Sequence, residues 1–262
     1  MNKYLKLWKR TFELELSSEM AYKTNFLIKS FALIIADLIG PIITMLIYSS
    51  SSGIPGWRFE EFILFQGTFI LVTGISHAFI LTFPVIVVEN VREGTFDKIL
   101  TKPFNTLLYL SFSAIDIEGF AEIFAGLALI IFAFIKLNII LFSWNALLYI
   151  MIMITALLFL YSLLVIISSL AFLFVKSFAL FELLFKILDV SRYPMNIYGV
   201  EMRFIFTFIL PVAIVSFYPA SALLGTLNIM SLIEIFIPII LFFCLSIIIW
   251  NLALKKYTSA GG

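Results

Sequence analysis

Residues 88–103 read VENVREGTFDKILTKP and lie between two apolar runs, 59–83 and 119–137, each long enough to cross a bilayer at about 20 residues per crossing. A polar interruption between two spans is a loop on one membrane face, and its internal pattern predicts a short helix. Gly94 permits a break in chain direction, Thr95 can cap, Asp97 suits the positive end of a helix, and Pro103 stops it. Phe96, Ile99 and Leu100 fall at i, i+3 and i+4 on one face, while Asp97, Lys98, Thr101 and Lys102 point elsewhere. Such an amphipathic cylinder reads either as a knob gripped by a soluble partner or as an interfacial helix resting on lipid headgroups.

The rest of the chain has the composition of a membrane protein. Of its 262 residues, 63% are apolar and 13% charged, a balance that a soluble surface cannot carry. The net charge of +1 provides no global field for nucleic acid or acidic substrates. Apolar runs at 25–48, 59–83, 119–137, 144–175, 204–218 and 233–254 predict an all-α membrane protein of six transmembrane helices. The fourth run is long enough to continue past the bilayer, and the fifth is interrupted by Pro211 and bounded by Pro219. Residues 1–24 mix basic and apolar positions at helical spacing, as expected for an elbow helix in the interface. Residues 259–262 read as a linker or unstructured tail.

Six crossings put both termini on one side, and basic residues choose the cytoplasm. The expected inner set is Lys3, Lys6, Lys9, Arg10, Lys23, Arg92, Lys98, Lys102, Lys176, Lys186, Arg192, Arg203, Lys255 and Lys256, leaving only Lys29, Arg58 and Lys136. Tyr48, Trp57, Trp144 and Tyr218 are expected at the outer interface; Trp8, Tyr22, Tyr198, Trp250 and Tyr257 at the inner one.

No glycine-rich loop with lysine and hydroxyl is present, so the chain cannot bind a nucleotide through a P-loop. Lone Cys244 and lone His77 offer no metal or relay set; His77, in the second span, is expected to be hydrogen-bonded between helices. Intramembrane carboxylates are costly and mark functional positions. Asp37, in the first span, reads equally as a pathway residue or as a packing contact. Glu118 and Glu122, one turn apart near Asp116, are expected to pair with Arg92, Arg192 or Arg203. Residues 191–198 are expected as a cytoplasmic turn. Pro211 and Pro219 free backbone carbonyls that protein or water must satisfy, and residues 220–230, which include Gly225, could re-enter the outer leaflet.

The stretch Arg92-Glu93-Gly94-Thr95-Phe96-Asp97-Lys98-Ile99-Leu100 followed by Lys102-Pro103 resembles the cytoplasmic motif of type-2 ABC exporter permeases, which commonly show a charged residue, Gly-Thr, Leu-Leu and Pro. A second block, from Arg192-Tyr193-Pro194 through Ile209-Leu210-Pro211 to Phe217-Tyr218-Pro219-Ala220, is similar to one bacterial subfamily usually encoded with a second permease and an ATPase. The resemblance implies a single permease domain over residues 1–258, in the bacterial cytoplasmic (inner) membrane with both termini inside, and a coupling helix at 94–103. In that picture Phe96, Ile99 and Leu100 are the buried knob in an ATPase cleft, with Asp97, Lys98 and Lys102 at its rim. The first, second and fifth spans line a pathway shared with a second permease chain, identical or different. The chain itself binds no cofactor; ATP and Mg belong to the ATPase subunits. The short extracellular loops depart from relatives with a larger insertion before the last span and argue against protein-sized cargo. A hydrophobic or amphiphilic compound moved outward suits the apolar spans. The alternatives are a secondary transporter or channel, which would show repeated half-helices and midplane ionisable groups, and a membrane assembly factor.

Overall fold

Continuous apolar runs with few charges satisfy their backbone only as helices in a bilayer, and the computed structural model, which describes residues 2–174 and 185–258, is helical accordingly. Helix α1 (Asn2–Ala21) leads into α2 (Lys23–Ser50); α3 runs from Phe59 to Arg92, with a π-helical turn at His77–Leu81. The short α4 (Asp97–Leu100), α5 (Thr106–Ser113), α6 (Gly119–Leu137) and α7 (Trp144–Leu170) follow. Residues 185–190 are helical. Beyond them come α8 (Val200–Phe204), a π turn Ile205–Ile209, a 3-10 turn Val212–Ile214, α9 (Phe217–Leu223) and α10 (Ile229–Leu254). Among the described residues five helices are long and apolar enough to cross a membrane: α2, α3, α6, α7 and α10.

The most extensive helix pair is α3 with α6, and glycines set its closeness. A Cβ on Gly67 or Gly74 would come within 2.9 Å of α6 atoms, and one on Gly126 within 2.6 Å of the Leu71 backbone nitrogen. With no hydrophobic force between helices in lipid, this backbone contact supplies the van der Waals attraction. Helix α10 packs on α7, while α2 leaves Phe31, Ile35, Ile39 and Ile42 exposed, a surface suited to lipid or to another helix.

Side-chain contacts fix which ends share a face. Phe96 meets Phe172 and Tyr257, so the loop after α3, the end of α7 and the end of α10 lie together, with α1 beside them: Lys3 Nζ donates to the Pro103 carbonyl at 2.9 Å. On the opposite face, Trp57 Nε1 donates to Asn196 Oδ1 at 3.2 Å and Asn196 Nδ2 to the Pro55 carbonyl at 3.3 Å. The turn at Asn196 therefore lies on the face opposite the termini, which corrects the expectation that residues 191–198 form a turn on the termini's side. Phe174 and Asn196 therefore lie on opposite faces, with residues 185–193 as the described part of the crossing segment, and the crossing expected at 204–218 is not one. Arg203 and Tyr218 line the same surface cavity as Trp57, so both ends of that segment lie on one face.

Residues 200–223 instead form a hairpin that dips inward and returns. Its tip is tied to the crossing segment: Ser191 Oγ donates to the Val212 carbonyl at 3.0 Å, and Ser216 Oγ to the Ser191 carbonyl. Val212, Ala213, Ile214 and Val215 are buried. Pro211 sits where the π turn ends, and Pro219 falls in the first turn of α9, where its missing N–H costs no helical bond. Re-entry begins earlier than the expected 220–230. Helix α7 stops at Leu170, short of the expected extension to residue 175, which lies outside the described residues together with Lys176 and the tail at 259–262. Moving Arg192, Arg203 and Tyr198 off the termini face leaves Lys3, Lys6, Lys9, Arg10, Lys23, Arg92, Lys98, Lys102, Lys255 and Lys256 there; the basic asymmetry survives the correction.

Candidate functional site

The π turn at His77 adds a residue to one helical turn and releases a backbone carbonyl from the ladder, a feature common at functional positions. The Ala78 carbonyl accepts the Asp116 N–H at 3.0 Å. This anchors the start of α6, where Asp116 Oδ1 accepts the Glu118 N–H at 2.9 Å and so satisfies one of the donors a helix N-terminus leaves open. The acidic side chains there find cations from neighbouring helices. His77 Nδ1 lies 2.9 Å from Glu122 Oε1 and His77 Nε2 3.4 Å from Asp116 Oδ2; both ring nitrogens donate at once only in the imidazolium form. Lys29 Nζ donates to Glu118 Oε1 at 2.7 Å. The expected pairing with Arg192 or Arg203 is thus replaced by pairing with His77 and Lys29: Arg192 is taken up by Asp189, and Arg203 lies on the opposite face beside Trp57. Burial alone would raise Asp116, but hydrogen bonds from His77 and the Glu118 backbone hold it below the ordinary carboxylate range. On α1, burial and the neighbouring carboxylates of Asp116, Glu19 and Glu118 push Glu15 up.

Beside this cluster lie two adjoining cavities, of about 330 and 100 Å³, between α2, α3 and the crossing segment. Both are lined by Asp37, Phe69 and Arg192; the larger also by Thr73, His77, Glu122 and Asp189, the smaller by Gln66 and Thr44. Arg192 Nε donates to Asp189 Oδ1 at 3.1 Å, and its guanidinium stands 4.7 Å from the Phe69 ring centroid, a cation–π distance. Asp37 Oδ2 and Gln66 Oε1 are buried without a hydrogen-bond partner among the described residues.

At the far end of α3, Gly94 adopts φ 67°, a left-handed turn open to glycine. Thr95 does not cap by its side chain; its hydroxyl donates to Asn90 Oδ1 at 2.8 Å and fastens the turn to α3, while Phe96 takes the N-cap position. Helix α4 ends at Leu100, before Pro103. The expected apolar knob divides: Phe96 is fully buried and Ile99 nearly so within this chain's own core, whereas Leu100 is 39% exposed. The surface left outward is Arg92, Glu93, Lys98, Leu100, Thr101, Lys102 and Pro103. Lys102 donates to Tyr109 Oη, and Tyr4 accepts the Asn105 N–H at 3.2 Å.

Asp37, His77 and Glu122 thus meet around one cavity, Glu118 stands just beyond it, and residues 92–103 lie at the end of the helix that walls it. Pro219 belongs to the hairpin arm returning to the opposite face and Pro211 to the buried tip of that hairpin. Gln66 was missed by sequence reasoning, although a lone amide in an apolar run is a readable signal; Lys29 as a partner was legible only from its inward position. Among the described residues no group of three or more His, Cys, Asp or Glu is placed to hold a metal ion.

The fold is that of a multi-pass helical membrane protein with a polar interior and no nucleotide-binding motif of its own. The chain belongs to the ABC-2 family transporter proteins, whose family model matches residues 31–261. It is therefore a membrane permease of an ABC transporter, the component that works with ATPase subunits rather than the ATPase itself. No curated protein and no solved structure matches it.

Proposed function

We propose that the chain is one half of an ATP-driven exporter, pairing with a second permease chain to form a pathway for a hydrophobic or amphiphilic compound. In this reading the termini and residues 94–103 face the cytoplasm of a bacterial inner membrane, in keeping with the basic residues gathered on that face. Helix α1 is the elbow helix, the chain makes six crossings, and residues 94–103 dock on an ATPase subunit. One observation carries the proposal: the outward turn at 94–103 is built onto the end of α3, the same helix that lines the polar cavity. Motion of the turn on ATP binding is delivered along α3 to the pathway. The exposed apolar face of α2 is the surface available to the second chain.

Co-purification tests it. Wild type is expected to retain a soluble ATPase subunit, and Leu100→Asp together with Lys98→Glu to release it, because both side chains point outward. Full retention by that double variant rejects the docking surface. A secondary transporter would purify without an ATPase and move cargo with no ATP.

A further inference from the structure

We infer that the cavity between α2, α3 and the crossing segment binds an amphiphile whose head group is a protonated amine. The inference rests on the permease reading and specifies its cargo.

Two acceptors in the walls lack a donor. Asp37 Oδ2 and Gln66 Oε1 are both buried and find no hydrogen-bond partner among the described residues, and both residues line the smaller cavity. They are neighbours: Gly40 lies one turn beyond Asp37 on α2, and a Cβ there would stand 3.3 Å from Gln66 Nε2. Buried acceptors left without donors are costly, and a lasting pair of them marks a place where something else donates. Charge points the same way. Arg192 is matched by Asp189 and Glu122 by His77, whereas Asp37 makes no ion pair among the described residues. The unmatched charge in the cavity is negative. An ammonium carries three donors and no acceptor, so one head group satisfies Asp37 and Gln66 together and neutralises the carboxylate. An anionic head would be repelled, and a neutral one would leave the charge unmatched. The Phe69 ring is already occupied by the Arg192 guanidinium, which directs a second cation to Asp37. The remaining wall is apolar, from Ile43, Ile47, Phe62 and Leu33, and receives the tail. The two cavities together suit a small amphiphile.

The test uses the chain in zwitterionic phosphatidylcholine nanodiscs and three probes with one tail: octylammonium, octyl sulfate and octyl glucoside, titrated calorimetrically against empty discs. Saturable binding of octylammonium alone is expected, weakened tenfold or more by the isosteric Asp37→Asn and less by Gln66→Leu. Equal binding of octyl sulfate or octyl glucoside by wild type overturns the assignment without any substitution. So does unaltered octylammonium binding in an Asp37→Asn chain that elutes as wild type does. ATPase retention is scored separately. Chains that keep the ATPase but do not select ammonium refute the cargo and leave the permease reading standing, whereas chains that retain no ATPase refute the coupling reading whatever the cavity binds.

Discussion

Truncating Phe96 to alanine removes a fully buried ring that meets Phe172 and Tyr257 edge-on, at centroid separations of 5.0 and 5.3 Å. A buried Phe→Ala change costs about 3–5 kcal/mol, of which two edge-to-face contacts account for about 1–3 kcal/mol. Phe172 also touches Tyr257 and Trp250, so the surviving rings keep part of their packing and the lower end, about 3 kcal/mol, is expected. At about 2–4 °C per kcal/mol for a chain of this size, the melting midpoint followed by tryptophan fluorescence in detergent falls by about 6–12 °C. Leu100→Asp, on the same turn but outward, shifts stability by no more than about 0.5 kcal/mol and yet releases the ATPase subunit. The reasoning is refuted if Phe96→Ala melts as wild type does while losing the ATPase, because the ring would then serve the partner and not hold the turn in place.

Other expectations probe the bundle and its sidedness. Gly126→Leu forces α3 away from α6 at a contact of 2.6 Å and should abolish a folded, monodisperse chain in size-exclusion chromatography, whereas Gly199→Ala, whose added Cβ would meet only the Glu201 side chain at an ordinary 3.6 Å, should not. His77→Ala leaves Glu122 and Asp116 without their shared donor and should cost about 1–3 kcal/mol, read as a lowered melting midpoint. In a Cys244→Ser background, Asn196→Cys should react with a membrane-impermeant thiol reagent added outside intact cells and Lys98→Cys should not; the reverse pattern would invert the topology.

The spans were legible because apolar runs of this length admit one solution in lipid, and α2, α3, α6, α7 and α10 fall on the predicted runs. The fifth crossing was not legible. Residues 204–218 are as apolar as a span, and hydropathy cannot distinguish a segment that crosses from one that dips and returns; that is decided by Ser191, Ser216 and Asn196 making contacts far along the chain. Arg192 misled for a related reason: it was counted among the basic residues of the termini face, yet it is a half-buried cation beside the cavity, held by Asp189 and the Phe69 ring. In the loop at 88–103, the periodicity correctly put Phe96 and Ile99 on one face. It could not say that this face turns toward the chain's own core, since burial against α7 and α10 depends on Phe172 and Tyr257. Asp37, His77 and Glu122 were each recognisable as costly residues; their convergence required the tertiary structure.

Helix α3 continues through 34 residues, roughly 51 Å at 1.5 Å per residue. A rod of that length pivoting by about 5° about one end sweeps the other through about 4 Å by simple trigonometry, more than a hydrogen bond can stretch and still survive. The clasp of Trp57 on Asn196 sits just beyond one end of this rod and the grip of His77 on Glu122 partway along it, so a push at Gly94 strains them unequally and the order in which they release is set by leverage.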